Sequence, residues 1–144
     1  MSKDWQNKLE TLIYQKAILS TGLATALGVT GPYDWADKFG LAWADNAGRE
    51  FPFVTFRLDC SDYSEELNAA QAVTLYLDVW SQADSKKQSN DIERELALAF
   101  EDVVLKDTHI KTSGFVKEFR TEMREADTRI FHTAIRYAGT AIEL

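Results

Sequence analysis

The chain has 144 residues, a net charge of −7 and one cysteine. This length fits a single domain, residues 1–144, which can bury roughly 70% of the surface of its unfolded chain and so needs no disulfide or metal to hold a core. The acidic balance disfavours nucleic-acid binding, which rests on Lys and Arg, and no run of about 18 apolar residues predicts a membrane span. The segment Met1 to Leu12 lacks a continuous apolar run, so we expect no signal peptide and a location in the cytosol or in an assembly built there.

The N-terminal third predicts a helix followed by an aromatic loop. From Asp4 to about Leu19 the apolar residues recur at helical spacing. A short helical turn near residues 23–27 and a turn signal at Gly31-Pro32 follow. The loop then indicates either a hydrophobic cluster beneath it, which we favour, or an aromatic contact surface for a partner. Its aromatic residues are Tyr33, Trp35, Phe39 and Trp43.

The middle of the chain predicts two strands and a second helix. Residues 51–58 and 72–81 alternate apolar and polar side chains, as a half-covered antiparallel sheet requires. An acidic loop, 59–68, joins them. A helix from about Lys86 to Val104 would place one apolar side against the sheet. That side consists of Ile92, Leu96, Ala99, Phe100 and Val103.

The C-terminal part predicts a β-hairpin, with strands at 115–124 and 129–142 and a turn at 125–128. In the first of these strands the alternation places Phe115, Phe119 and Met123 on one face. The complete order is helix, strand, strand, helix, strand, strand. It predicts an α+β fold, an antiparallel sheet of about four main strands with two helices packed on one face.

Residues suited to catalysis or ligand binding are few. His109 and His132 have no second His or Cys at ligand spacing, so no zinc site is indicated. No Gly-rich loop has phosphate-binding spacing. Cys60 would need a base such as His132 to act as a nucleophile, and a lone cysteine usually behaves as a small hydrophobe. The sequence therefore predicts no enzyme, catalytic residue, metal or cofactor, with one alternative: a small ligand-binding or enzymatic domain with a pocket near Cys60 and His132.

Two charged groups remain. The carboxylates after the first predicted strand do not match the ligand order of a calcium loop and lack its central Gly, which indicates a solvated surface. They are Asp59, Asp62, Glu65 and Glu66. The arginines of the last hairpin indicate either cross-strand charge pairs on an exposed sheet face or a subunit contact. They are Arg120, Arg124, Arg129 and Arg136.

Several segments resemble one family. They resemble the tail completion, or tail terminator, proteins of long-tailed bacteriophages and prophages. These segments are the strand that opens Phe51-Pro52-Phe53-Val54, the strand at 73–81, the helix through Ile92 and Leu96, and the closing strand at 131–137. The resemblance covers most of the chain. It implies a structural virion subunit that forms a ring, commonly a hexamer. Such a ring caps the head-proximal end of the tail tube, stops its growth and joins the tail to the head.

The resemblance also implies partners: further copies of the chain, the major tail tube protein and the head–tail connector proteins, with DNA only passing through the lumen and no membrane. We hypothesise that the acidic group faces the lumen or the tail tube, because carboxylates repel phosphate. The members of that group are Asp59, Asp62, Glu65 and Glu66. The candidate subunit-interface residues are Trp35, Trp43, Arg120, Arg124 and Arg136. A nucleic-acid-binding module is the third reading, and the net charge disfavours it.

Overall fold

The computed structural model describes residues 4–42, 49–62, 70–83, 85–125 and 127–144, with Ser61 and Asp62 described in their backbone alone. Its helices are α1 (Trp5–Ile18), α2 (Thr21–Leu27), α3 (Trp35–Lys38) and α4 (Lys87–Phe100). Its strands are β1 (Phe39–Leu41), β2 (Phe53–Asp62), β3 (Ala70–Gln82), β4 (Ile110–Thr112), β5 (Val116–Glu125) and β6 (Ile130–Glu143). None of the helices in these ranges is long and apolar enough to cross a membrane.

All the strands belong to one sheet. The order is β1-β2-β3-β6, and both β4 and β5 pair with the far side of β6. β1 runs parallel to β2, while the remaining pairs are antiparallel. The α+β class is therefore confirmed, with an antiparallel sheet that carries one short parallel strand.

The core lies between the sheet and a layer that contains α1, α2 and α4. Alternate residues of the long central strand β3, such as Leu75 and Leu77, point into it and are fully buried. Ile92 and Leu96 of α4 meet them, together with Leu9 and Ile13 of α1. The period of two in the strand and of about 3.6 in the helices brings these side chains onto facing surfaces.

Helix ends are set by local chemistry. Ser20 caps α2, because its hydroxyl accepts a hydrogen bond from the Leu23 backbone N–H at 3.1 Å. Gly28 ends α2 in the left-handed conformation, with φ of 76°, which a residue without a Cβ adopts at low cost. Helix α4 ends at Phe100, whereas the sequence predicted a helix to Val104. The backbone leaves the helix at Glu101, which is extended with a ψ of 122°, and Asp102 follows in the left-handed region with a φ of 57°.

The predicted counts of about four strands and two helices are too low. The prediction of two helices did not include α2, which was expected as a short turn, or α3, which has four residues. The two additional strands, β1 and β4, have three residues each. Elements of three to seven residues contain at most about two repeats of a helical or strand pattern, which is too few for periodicity to identify them.

The predicted face of β5 is wrong in part. Phe115 is fully buried, whereas Phe119 and Met123 are half-exposed. A β-bulge between Lys117 and Phe119 shifts the register with β6. Because one extra residue reverses the alternation beyond it, Phe119 and Met123 lie on the face opposite the helices.

Candidate functional site: the open face of the sheet

The face of the sheet opposite the helices carries large side chains. We call it the open face, since within the described ranges the helices contribute to the core on the other side. Strand pairing aligns its residues in rows that cross β2, β3, β6 and β5. At the β1 end, residues 49–52 overlie this face: the Phe51 ring lies 5.4 Å from the Phe53 ring, and the Arg49 guanidinium lies over Gly40.

One row, the aromatic row, consists of Phe53, Trp80, His132 and Met123. The imidazole of His132 stacks on the Trp80 ring with centroids 3.8 Å apart and planes 5° from parallel. On the β2 side of Trp80, the Phe53 ring stacks on the Trp80 ring with the centroids 6.2 Å apart. Stacked aromatic pairs in such cross-strand positions stabilise a sheet and make the row a rigid ridge.

A second row, the cationic row, lies four residues further along the strands and consists of Arg57, Tyr76, Arg136 and Phe119. The guanidinium of Arg57 lies 3.9 Å from the centre of the Tyr76 ring, and that of Arg136 lies 5.4 Å from the centre of the Phe119 ring. Cation–π contacts hold both arginines flat against the sheet. Glu118 lies 3.3 Å from Arg136, which confirms cross-strand charge pairing for this arginine.

Between the two rows lie smaller side chains, which are those of Thr55, Asp78, Ala134 and Thr121. His132 Nε2 lies 2.7 Å from Asp78 Oδ1, a hydrogen bond that ties the aromatic row to this floor. The two rows thus form walls on either side of these smaller side chains. At the β2 end Phe53 and Thr55 are only 6% and 2% exposed, so the accessible part of the open face lies on β3, β6 and β5. An antiparallel sheet that faces only water normally carries polar side chains there, so this face has the composition of a contact surface.

The arginines predicted as interface residues lie in different places. Arg136 belongs to the open face. Arg120 points to the helix side, where Glu93 of α4 accepts from its Nε at 2.6 and 2.9 Å, so the cross-strand pairing expected for it is not what the structure has. Hydrogen bonding to Glu93 raises the pKa of Arg120. Arg124, near the end of β5, lies 5.2 Å from the centre of the Phe131 ring.

The aromatic residues of the predicted loop also differ from one another in burial. Trp35 is only 7% exposed within the chain and belongs to the core, and its place on a subunit interface stays a prediction. Trp35 lies on α3 and joins the main core, together with Phe39, and not a separate cluster beneath a loop. Tyr33 is exposed. Trp43 lies outside the described residues.

The acidic group is only partly described. β2 continues to Asp62, so the predicted loop 59–68 begins later than expected. Asp59 lies at the open face, 3.5 Å from Arg57. Asp62 ends the strand, and Glu65 and Glu66 lie outside the described residues. The lumen hypothesis for these four residues stays a prediction.

Cys60 and His132 are not brought together. Cys60 pairs with Val73 and packs against the core on the helix side, whereas His132 lies on the open face beside Trp80. The sheet separates a thiol from the imidazole that was considered as its base. His132 is therefore a surface residue of the kind that the sequence predicted.

Cys60 gives a direct chemical test. Burial, followed by the nearby carboxylates of Asp59 and Glu10, raises the pKa of its thiol to about 11. Because the thiolate is the nucleophile, we expect alkylation by iodoacetamide at pH 8 to be roughly 100-fold slower than for the same chain unfolded in urea. Equal rates in the two states, followed by mass spectrometry, would contradict this and revive a nucleophilic role.

Cavities offer little else. A groove of about 490 Å³ lies between α1 and β1, lined by Tyr14, Phe39, Leu41 and Phe56 among others. Glu10 lies at its rim, and burial raises the pKa of that carboxyl. Within the described ranges, no group of three or more His, Cys, Asp or Glu side chains has the arrangement of a metal site.

Sequence reasoning did not select Trp80, Tyr76 or Phe53. A signal was present, because Tyr76 and Trp80 fall on the side of the predicted strand 72–81 that was expected to be mixed in polarity. This face was expected to contact water. Two large aromatic side chains on such a face indicate an interface.

Comparison with known proteins gives a structural likeness. No protein-family model and no curated protein matches the sequence. A chain from the virion of a native gene transfer agent particle has the same fold, with a TM-score of 0.71 and 15% identity, and the match covers 94% of this chain and 95% of that one. A second solved structure matches with a TM-score of 0.56 and 12% identity over 100% of this chain and 96% of that one.

Proposed function

We propose that this chain is a structural virion protein of a phage or prophage, without enzymatic activity. The observation that supports this most is the fold likeness to a chain from a gene transfer agent virion, which covers nearly the full length of both chains. Sequence identity is low, at 15%, so what is common is the arrangement of elements and not a set of conserved side chains. The open face adds support, because its walls suit contact with another protein.

Within that role we propose a tail-terminating ring. Copies of the chain close into a ring, of which a hexamer is the expected form, at the head-proximal end of the tail tube. The ring stops tube growth and then joins the tail to the head, in contact with the major tail tube protein and the head–tail connector proteins. A closed ring needs two different surfaces on each subunit that fit one another.

The proposal is tested by deleting the gene from the phage or prophage genome that carries it. Negative-stain microscopy of the lysate is expected to show tails of irregular length and heads without tails, and a plasmid copy is expected to restore particles of normal form. Normal, joined particles after deletion would refute the tail-terminating role. Normal tails with defective heads would keep a virion role but move it elsewhere in the particle.

The lumen hypothesis has its own test in that system. A plasmid copy in which Asp59, Asp62, Glu65 and Glu66 are all changed to their amides is expected to assemble but to deliver DNA less well, because the repulsion between lumen and phosphate is lost. Unchanged tail length, ring assembly and DNA delivery would remove these residues from the lumen or the tail-tube contact.

A further inference from the structure

Strand β5 forms an edge of the sheet, and within the described ranges its outer side has no partner strand. It spans Val116–Glu125 and pairs with β6 alone. In an antiparallel pair every second residue directs its N–H and C=O away from the neighbouring strand, so this edge presents a series of backbone donors and acceptors. Such an edge can accept a further strand by main-chain hydrogen bonding.

The side chains of this edge also suit a contact. Val116, Phe119 and Met123 are 59%, 50% and 52% exposed. Apolar side chains exposed together at a sheet edge favour pairing with another chain. Phe119 and Met123 lie on the open face on either side of Thr121. A strand that pairs with β5 at this position therefore covers both of them.

The sequence of β5 is complementary to itself about Thr121. In an antiparallel pair of two copies centred on this residue, Arg120 lies opposite Glu122 and Phe119 lies opposite Met123. Over residues 119–123 each opposed pair is thus apolar with apolar or positive with negative, apart from the central pair of threonines. The β-bulge of β5 lies before this segment, so the segment itself is regular.

The neighbouring registers oppose like charges. A shift of the second strand by two residues in one direction places Arg120 opposite Arg120 and Glu118 opposite Glu122. The same shift in the other direction places Glu122 opposite Glu122 and Arg120 opposite Arg124. Like charges directly opposite one another destabilise a strand pair. A shift of one residue would instead bring the open face of one copy beside the helix side of the other.

The charged residues of β5 select the register but do not supply the contact. Arg120 and Glu122 already have partners within the chain, which are Glu93 and Lys86. Main-chain hydrogen bonds and the burial of Phe119 against an apolar side chain stabilise the pair. The charges act against the alternative registers.

We propose that two copies of this chain form a two-fold dimer in which β5 pairs antiparallel with β5 about Thr121. The two sheets then form one continuous sheet, with both helix layers on the same side. Because Phe119 lies beside Met123 of the second copy, the cationic row of each copy continues into the aromatic row of the other. The contact joins the same surface of both copies, so it differs from a ring contact and does not depend on the proposed virion role.

A single cysteine at the two-fold axis tests the register in a Cys60→Ser background. Thr121→Cys is expected to give a disulfide-linked dimer on oxidation, because this residue lies opposite its own counterpart at about 5 Å. Arg124→Cys is the matched control. Arg124 is exposed on the same strand, but in this register it lies about 20 Å from its counterpart and is expected to stay unlinked. Absence of a link at Thr121→Cys, or a link that forms equally well at Arg124→Cys, would overturn the register.

A charge exchange at Thr121 supplies a second readout, since this residue is half-buried on the open face and a longer side chain can reach solvent there. Sedimentation of the full chain is expected to show a monomer–dimer equilibrium. Thr121→Lys and Thr121→Glu are each expected to raise the dissociation constant of the dimer at least about tenfold, because like charges then meet at the axis. An equal mixture of these two variants is expected to restore the dimer.

Thr121→Gln is the uncharged control, expected to sediment as the parent does, and circular dichroism checks that each variant is folded. A parent chain that stays monomeric at every soluble concentration, or charged variants that dimerise as well as the parent, would overturn the dimer. Rings that form without a link at Thr121→Cys would overturn it and keep the proposed ring. Normal tails after gene deletion would refute the proposed function and leave the dimer standing.

Discussion

Leu96→Ala is expected to lower the free energy of unfolding by roughly 2–5 kcal/mol. Leu96 is fully buried between α4 and the sheet, in the same core cluster as Leu75 and Leu77. Its truncation removes apolar contacts and leaves a cavity that the surrounding strands and helix fill only in part. Urea unfolding followed by circular dichroism measures the loss as a shift in midpoint at constant slope.

Leu98→Ala is the matched control, two residues along the same helix. Leu98 is 68% exposed, so the same chemical change is expected to alter the free energy of unfolding by less than about 0.5 kcal/mol. If both substitutions lowered the free energy of unfolding equally, this would contradict the orientation of α4, which buries Leu96 and exposes Leu98.

Glu93→Ala is expected to lower the free energy of unfolding by roughly 1–3 kcal/mol, because Arg120 and Lys117 lose the carboxylate that both contact and Arg120 keeps only the longer contact of 3.5 Å to Glu122. The Glu93 side chain is 13% exposed, both of its oxygens accept from the single Nε–H of Arg120, and it lies 3.7 Å from Lys117. Lys86 adds a second link between the helix region and β5, at 3.2 Å from Glu122. Charge pairs therefore attach α4 to this edge strand.

Asp91→Ala is the control for that change. Asp91 lies on the same helix and pairs with Lys87 and Arg94, which are largely exposed. Exposed ion pairs contribute little, so we expect a much smaller effect than at Glu93. The difference between the two variants should fall as salt is added, since screening weakens the charge interactions. A Glu93→Ala variant as stable as the parent in low salt would contradict the role given to these pairs.

Long periodic segments were predictable from the sequence. α1 was expected at about residues 4–19 and spans Trp5–Ile18, and the strand expected at 72–81 is β3, Ala70–Gln82. The α+β class follows from the same patterns. These features are local, since a repeat of two or about 3.6 residues is written in neighbouring positions and survives in any context that covers one face.

In the regular segments, such as α1 and β3, the sequence by itself thus determined which side chains share a face, and the tertiary structure decided what each face meets. The bulge at Lys117 and Phe119 depends on the pairing of β5 with β6, and it moved Phe119 to the open face. Arg120 pairs with the carboxylate of Glu93 on α4, which is 27 residues away along the chain. Trp35 is a core residue because α3 packs against β1 and β2 of the sheet. Contacts of this kind depend on distances between elements that are remote in sequence, and no local repeat encodes those distances.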